Sequence, residues 1–527
     1  MTIRQLFVII AIAVCVGLLF LALFFPKVLW AFIVVIPVIV IGVFDMFQER
    51  HSIRRLYPVI GHFRYMFEAV RPEIQQYFVE SDLSGRPIPR EFRALVYQRA
   101  KGSRDTRPFG TIIDVNQAGY EWMNHSIAPT HLEDEDPRIV FGGPDCKKPY
   151  AASPLNISAM SYGALSGNAI RALNSGAKIG GFAHNTGEGS ISPHHMFGGA
   201  DIIWQVGTGY FGCRDENGNF NPKTFAEKAS RDNVKMIEIK LSQGAKPGHG
   251  GLLPAAKVTQ EVADIRDVPI GVTVASPAAH SAFSTPKGLL EFVQQLRELS
   301  GGKPVGFKLC LGNKHEFLGI VKAMLETNIT PDFITVDGGE GGTGAAPTEM
   351  TNSVGTPLRD ALIYVNNTLI GAELRDRMRL IASGKMFSAF HIVRAMALGA
   401  DTVNSARGFM LSLGCIQARS CNTDHCPTGI ATTNVNRAKA LVVTDKAQRV
   451  ANFHRETVKN LVELAGAAGL NGLEELEPRH INRRVQGTHV SNYAELYPTI
   501  DPGCLMDDNC RPVAWQADWA RASADRF

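Results

Sequence analysis

Two linked runs decide the fold: Pro304-Val-Gly-Phe-Lys-Leu-Cys310 and Phe333-Ile-Thr-Val-Asp-Gly-Gly-Glu-Gly-Gly-Thr-Gly344. Each is a short β-rich run that stops in polar or glycine-rich residues. Working outward, the same signature recurs at Leu155–Ser161, Gly180–Gly187, Met236–Ser242, Ile270–Ser276, Leu380–Lys385 and Thr402–Ala406. Helical patterns separate most of these runs, as at Ala164–Lys178, Pro286–Leu299 and Phe387–Leu398. Eight β/α units over about 250 residues predict an α/β fold, a closed (β/α)8 TIM barrel of parallel strands. A doubly wound open sheet is the alternative.

A barrel of this kind carries its chemistry at the C-terminal ends of its strands. The first expected strand ends in Ser158-Ala-Met160-Ser161, the second in Asn185-Thr-Gly-Glu188-Gly and the third in Lys240-Leu-Ser-Gln243-Gly-Ala-Lys246. Ser276 ends the fourth, Lys308 lies in the fifth, and Asp337-Gly338-Gly339-Glu340 ends the sixth. Any one of these fits ordinary turn chemistry; together, at corresponding positions, they predict a site. The seventh and eighth end in Ser383-Gly384-Lys385 and Ala406-Arg407-Gly408. Loops there often bind phosphate through backbone N–H groups, so a phosphorylated ligand is expected. Gly207-Thr-Gly-Tyr-Phe-Gly212 matches a dinucleotide fingerprint, but the turn-like Cys213-Arg-Asp-Glu-Asn-Gly218 follows it where a helix is required.

The 527 residues suggest two to four domains. With 45% apolar and 20% charged residues, the chain reads as globular, and its net charge of +4 argues against a nucleic-acid partner. The apolar residues are concentrated at the start. Leu6–Phe25 and Val28–Phe44 are uncharged runs, each long enough for a transmembrane helix, joined through Pro26 and Lys27. They predict a hairpin, with Pro37 kinking its second helix. A signal peptide, the alternative, would have a shorter apolar core and a small-residue cleavage site. Arg4 before the hairpin and Arg50, Arg54, Arg55 and Arg64 after it predict both ends on the cytoplasmic side of the inner membrane. The expected organisation is two membrane helices over 1–45, a covering region over 46–150, the barrel over 151–470 and an extension over 471–527. In the covering region, Phe63, Met66, Phe67, Val70 and Ile74 have helical spacing, and Arg86-Pro-Ile-Pro-Arg90 reads as a loop.

Nine cysteines in a reducing compartment point to thiols or metal ligands. Cys415, Cys421 and Cys426 are closely spaced directly after the phosphate-type loop. An iron–sulfur centre, a zinc site with His425 as fourth ligand, and ordinary thiols are all open on spacing. Cys504 and Cys510, in the tail, are a poorer metal site.

With these motifs in hand, residues 150–470 resemble the FMN-binding synthase domain of the glutamate synthase family. The likeness is carried by Ser158–Ser166, Asn185–Gly189, Gln243–Gly248, Asp337–Gly344, the phosphate segment Ser383–Asp401, and the three cysteines with Cys426-Pro-Thr-Gly429. It implies FMN and a 3Fe–4S cluster on Cys415, Cys421 and Cys426. It also implies reduction of the imine of 2-oxoglutarate and ammonia to L-glutamate, with a separate electron-donor protein. Lys308 would lie near the flavin. Met160, Ser161 and Gln243 would hydrogen-bond its ring. Gly338, Gly339, Gly384, Arg407 and Gly408 would bind the rest of the cofactor. Glu188 would bind ammonia or the imine, or move a proton. Lys246, Ser276 and His280 would line the substrate side.

The chain departs from that family in expected ways. It begins in a membrane segment where the large enzymes carry a glutaminase domain, and it leaves little room for their C-terminal β-helix. Gly189-Ser-Ile-Ser192, His249 and Ser276-Pro-Ala-Ala-His280 differ from the family pattern on the substrate side. A related oxidoreductase acting on another amine or 2-oxo acid is therefore the second reading. A non-catalytic FMN-binding membrane scaffold is the third; it would not need Lys308, Glu188 and the cysteines.

Overall fold

The computed structural model describes residues 1–133 and 136–527. The chain forms two compact units, Met1–Arg90 and Glu91–Phe527.

The first unit opens with α1 (Ile3–Ala22) and, after a 3-10 segment over Pro26–Ala31, α2 (Phe32–Phe47). Thr2 caps α1: its hydroxyl accepts from the Gln5 amide while Gln5 Oε1 accepts from the Thr2 amide. This satisfies two donors that would otherwise have no partner. The two helices fold back on each other as a hairpin. Arg4 Nη2 donates to the Met46 carbonyl at 3.2 Å, and the Phe7 ring lies where a Cβ on Gly42 would sit, 2.0 Å from Cζ. Both helical segments are long and apolar enough to cross a membrane. Near the end of α2 the buried Asp45 carboxylate accepts from the Val59 amide and from His62 Nε2, each at 2.9 Å. That clamps α3 (Ser52–Leu56) and α4 (Gly61–Ile74) to the hairpin's end. Arg86–Pro89 is irregular, as expected, while Arg90 already begins the helix Arg90–Lys101.

The second unit is a closed barrel of parallel strands: β1 (Leu155–Ile157), β2 (His184–Asn185), β3 (Ile202–Val206), β4 (Val234–Lys240), β5 (Val305–Leu309), β6 (Phe333–Asp337), β7 (Arg379–Ser383) and β8 (Thr402–Ser405). β8 closes on β1 with Val403 beside Leu155. The predicted architecture holds, but two strand assignments are corrected. Ile202–Val206, which the sequence reading passed over, is the third strand. Ile270–Ser276 is not a barrel strand: Val274–Ala275 pairs antiparallel with Leu252–Leu253 in an excursion between β4 and β5. The reason is local. Only the single turn Pro193–Met196 separates β2 from β3, so no helical pattern announces a new unit. Gly271, at φ +67, breaks the run that mimicked a strand.

One end of the barrel is sealed. A two-stranded hairpin, Ile139–Phe141 with Tyr150–Ala152, packs Phe141 and Tyr150 onto Ile203, Met236, Phe333 and Ile381. These come from the N-terminal halves of their strands, so the opposite end is left for polar chemistry. Outside, the long helix Val443–Ala467 lies on Gly167–Gly180, where Gly176 admits Val450: a Cβ there would be 2.5 Å from its Cγ1. Glu121–Met123 joins Ile481–Gln486 and His489–Asn492 in a small antiparallel sheet. There the buried Glu121 carboxylate accepts from Arg359, Arg394, Arg483 and the Tyr493 hydroxyl.

Candidate active site

The open end is built around one ion pair. β4 contains Glu238 and ends in Lys240, two residues apart and hence on the same face. Both are buried. Glu238 accepts from Asn185 Nδ2 at 2.8 Å, Gln205 Nε2 at 2.7 Å and Thr335 Oγ1 at 2.6 Å, tying β2, β3 and β6 together inside the barrel. Lys240, nearer the mouth, places its Nζ 2.8 Å from Glu188 Oε1. Ser276 Oγ donates to the other Glu188 oxygen at 3.4 Å.

The neighbouring strand repeats the arrangement. Lys308 stands in register with Lys240 and pairs with Asp337 Oδ2 at 3.1 Å; that carboxylate also accepts from the Gly244 amide at 2.9 Å. Two buried ammonium groups and two carboxylates thus share the mouth. Burial opposes ionisation of Glu188, but Lys240, Arg266 and Lys308 hold its carboxyl below the ordinary value. Burial lowers Lys240, an effect that Lys308 reinforces and Glu188 opposes. For Lys308 the order reverses: burial lowers it, yet Asp337, Glu238 and Glu188 together raise it. Lys240 is therefore the readier of the two to release a proton.

Glu188, Lys240, Gln243, His249, Gly250 and Gly251 line a cleft that opens to solvent. Glycine is required at its wall. A Cβ on Gly251 would lie 2.1 Å from Glu188 Oε1, and one on Gly250 would lie 1.9 Å from the Ser276 carbonyl. Lys246 is buried, and its pKa is lowered by burial and by Lys240. His280 does not line the cleft. It is wedged below, with Nε2 donating to the Lys240 carbonyl at 2.9 Å and Nδ1 accepting from the Tyr210 hydroxyl at 3.0 Å. Burial pushes its pKa down to about 4, so it is neutral and holds the excursion over the end of β4.

Met160 and Ser161 lie against the Glu188 loop. The Met160 carbonyl accepts from His195 Nε2 at 3.4 Å, and Ser161 Oγ accepts from the Gly189 amide at 3.1 Å. Gly187 is at φ +65, and a Cβ there would be 2.7 Å from the Ser161 nitrogen. Gly338 donates to the Ser383 carbonyl and Gly339 to the Thr356 carbonyl, each at 2.8 Å. The Gly338 carbonyl closes on Gly244, where a Cβ would be 2.0 Å away. Beyond β7, Gly384 is at φ +152. Beyond β8, the turn Arg407–Ser412 begins with Ala406, which offers no capping side chain, so the amides at its start have no side-chain acceptor.

Arg407 bridges two loops. Its Nη2 donates to the Thr343 carbonyl at 2.6 Å, and its Nη1 lies 3.9 Å from Cys421 Sγ. Cys415, Cys421 and Cys426 are free thiols, and among the described residues no three His, Cys, Asp or Glu side chains converge as a metal-binding group. Burial raises the Cys415 thiol, and Cys421 and Cys426 add to the rise. Cys426 runs the other way: burial is outweighed by the Thr428 hydroxyl and the amides of Ala431, Thr428 and Ile430, which favour its thiolate. Lys257, buried with its Nζ 2.9 Å from the Ala431 carbonyl, adds positive charge on this loop. The amide cradle favours a thiolate at Cys426, with Lys257 and Arg407 as the nearby cations.

The family description "Conserved region in glutamate synthase" matches residues 129–471. The chain belongs to the glutamate synthase family. It is 38% identical over 509 residues to the glutamate synthase large subunit-like protein YerD of Bacillus subtilis, covering 88% of this chain and 96% of that one. It is 37% identical over 326 residues to the archaeal glutamate synthase [NADPH] of Methanocaldococcus jannaschii, covering 62% of this chain and 60% of that one. The Bacillus subtilis glutamate synthase [NADPH] large chain is 31% identical over 326 residues, which are 20% of its length. Glutamate synthase homologues are oxidoreductases acting on CH–NH2 donors, and this chain is an enzyme of that kind.

Sequence reasoning named Lys240 only as the end of its strand and gave it no role, and it passed over the Gly250–Gly251 wall. A signal existed for Lys240: Glu238 and Lys240 alternate with Ile237 and Ile239, so two charges share the inward face of a buried strand.

Proposed function

We propose that this glutamate synthase family member is a membrane-anchored flavin and iron–sulfur oxidoreductase that reduces the imine of 2-oxoglutarate and ammonia to L-glutamate. The observation that carries the reading is the buried Glu188–Lys240 pair, bonded to Ser276 and opening on the cleft.

The residues present suit FMN. The uncapped amides beginning at Arg407, with Gly384 on the adjacent strand end, would hold its phosphate. Gln243, Met160 and Ser161 would meet its ring, Gly338 and Gly339 would leave room for it, and Lys308 would set positive charge beside it. FMN, when bound, supplies the hydride for the imine carbon. Cys415, Cys421 and Cys426 would hold a 3Fe–4S cluster, whose chemistry would be one-electron transfer from a separate donor protein.

The chain's own groups handle protons and charge. Glu188 stays ionised and accepts N–H bonds from ammonia or the imine nitrogen. Lys240, lowered by burial, gives a proton to Glu188 as Glu188 gives one to that nitrogen, so the carboxylate is ionised before and after the transfer and Lys240 is left neutral. Ser276 fixes the rotamer of Glu188, and Lys246 sets positive charge near the pair for a substrate carboxylate. The hairpin of α1 and α2 would anchor the enzyme in the inner membrane with the barrel on the cytoplasmic side.

Mixing reduced enzyme with 2-oxoglutarate and ammonium tests the reading. Rapid flavin reoxidation with glutamate formed is expected; a flavin that stays reduced would overturn it. His249 at the cleft wall favours a second reading, in which another 2-oxo acid or amine reoxidises the same enzyme.

A further inference from the structure

The helical spacing over residues 63–74 has no role in the site. An amphipathic helix of a soluble protein turns such a stripe inward. Here α4 turns it outward: Phe63 is 54% exposed, Phe67 59% and Ile74 42%, and Met66 and Val70 are exposed too. Gly61 is the one buried residue of the helix. At about 100° per residue these five side chains fall within an arc of about 100°. Arg64 and Arg71 flank one edge of the arc, Glu73 flanks the other, and Glu68 lies on the far side. A π turn, Gln75–Val79, continues the helix and leaves Phe78 84% exposed.

The position of α4 is fixed by the joint described above. His62, in its first turn, pairs with Asp45 in the last turn of α2, and Val59 donates to the same carboxylate. Gln48 locks the intervening bend, donating to the Asp45 and His51 carbonyls at 3.2 and 2.8 Å. Arg54 stacks on Tyr65 of α4, with its Cζ 4.5 Å from the ring centroid. The helix therefore starts at the very end of the second hairpin helix and cannot leave that level.

We propose that α4 lies in the plane of the bilayer interface, with its Phe63–Phe67–Ile74 face immersed among lipid chains at the headgroup boundary. The proposal rests on the membrane reading of α1 and α2. If α2 crosses the bilayer, its end marks the interface, and a helix clamped to that end presents its apolar face at headgroup depth. Arg64 and Arg71 then reach along the arc's edge to lipid phosphates while their stems lie on the apolar surface. The continuity of α4 with the hairpin in one compact unit selects lipid over a second copy of the chain as its occupant.

The test is photo-crosslinking of the full-length protein in phosphatidylcholine–phosphatidylglycerol bilayers. Benzoylphenylalanine replaces, one at a time, Phe63, Phe67, Glu68 and, as a hairpin reference, Val34, which is exposed on α2. Lipid adducts are read by mass spectrometry. The expected result is adducts at 34, 63 and 67, with about tenfold less at 68. Adducts at 34 without adducts at 63 and 67 would overturn the interfacial helix while leaving the hairpin standing. Crosslinks from 63 or 67 to a second protein chain would overturn it equally. No adducts at 34 would remove the membrane reading itself, and the proposal with it.

Discussion

Glu188 and Lys240 are held 2.8 Å apart out of bulk water, so each sets the other's proton affinity. The carboxyl of Glu188 is held below its ordinary value of 4.5, and the ammonium of Lys240 below its ordinary 10.5. On the acid side, kcat/KM should hold until pH falls below about 4.5; on the alkaline side it should fall before pH 10.5. Replacing Lys240 by Met should remove the alkaline limb, and a pH–rate profile checks this. Glu188→Gln should lower kcat/KM by about 10²–10³-fold. It should also destabilise the fold by roughly 3–5 kcal/mol, because it leaves Lys240 buried without its partner. That stability is present above pH 4.5 and is lost as pH falls through the lowered folded value, which urea melts at several pH values would show. At this scale the sequence was partly legible. Glu188, Gln243 and Lys308 stood out because polar side chains at strand ends are conspicuous. Lys240 was named there without a role, because the sequence does not show that it faces Glu188, and the structural role of His280 was not legible because its partners, the Lys240 carbonyl and the Tyr210 hydroxyl, come from distant segments.

The excursion between β4 and β5 makes the cleft specific. It brings Gly250, Gly251 and Ser276 over a barrel mouth that would otherwise be open. Gly251→Ala would drive a methyl group into the Glu188 carboxylate. It should cost catalysis about as much as Glu188→Gln, about 10²-fold or more in kcat/KM. Gly312→Ala, whose Cβ would meet nothing within 4 Å, should leave kinetics unchanged. Steady-state assays of the two variants decide it. The elements themselves were legible where each strand was followed by a full helix, as with Pro286–Leu299. They were not legible where the connection shrank to Pro193–Met196, because periodicity needs more than one turn to register.

For the whole molecule, the proposed membrane anchor raises the question of which way the hairpin faces. Lys27 lies at its turn, and Cys510 is exposed in the C-terminal extension. In intact cells an impermeant maleimide should label a Lys27→Cys variant, while Cys510 should react only after the cells are opened; labelling in the reverse order would invert the topology. The apolar composition of this hairpin was plain in the sequence. The Asp45–His62 clamp was not, because a hydrogen bond across a chain reversal leaves no periodic trace.

The Glu121 cluster has a consequence for how the barrel unit withstands damage. Glu121 lies near the start of that unit and Tyr493 near its end, 372 residues apart, yet they share a hydrogen bond. Between them β8 zips onto β1, and Arg359 and Arg394 clasp the same carboxylate. The polymer is linear, but its contacts make it a ring. A single cut in a surface loop opens that ring at one place and leaves every strand with both neighbours, so a nicked chain holds together as one body. The ring also closes late: Tyr493 leaves the ribosome long after the strands do, and until it arrives the arginines around Glu121 lack part of their common seat.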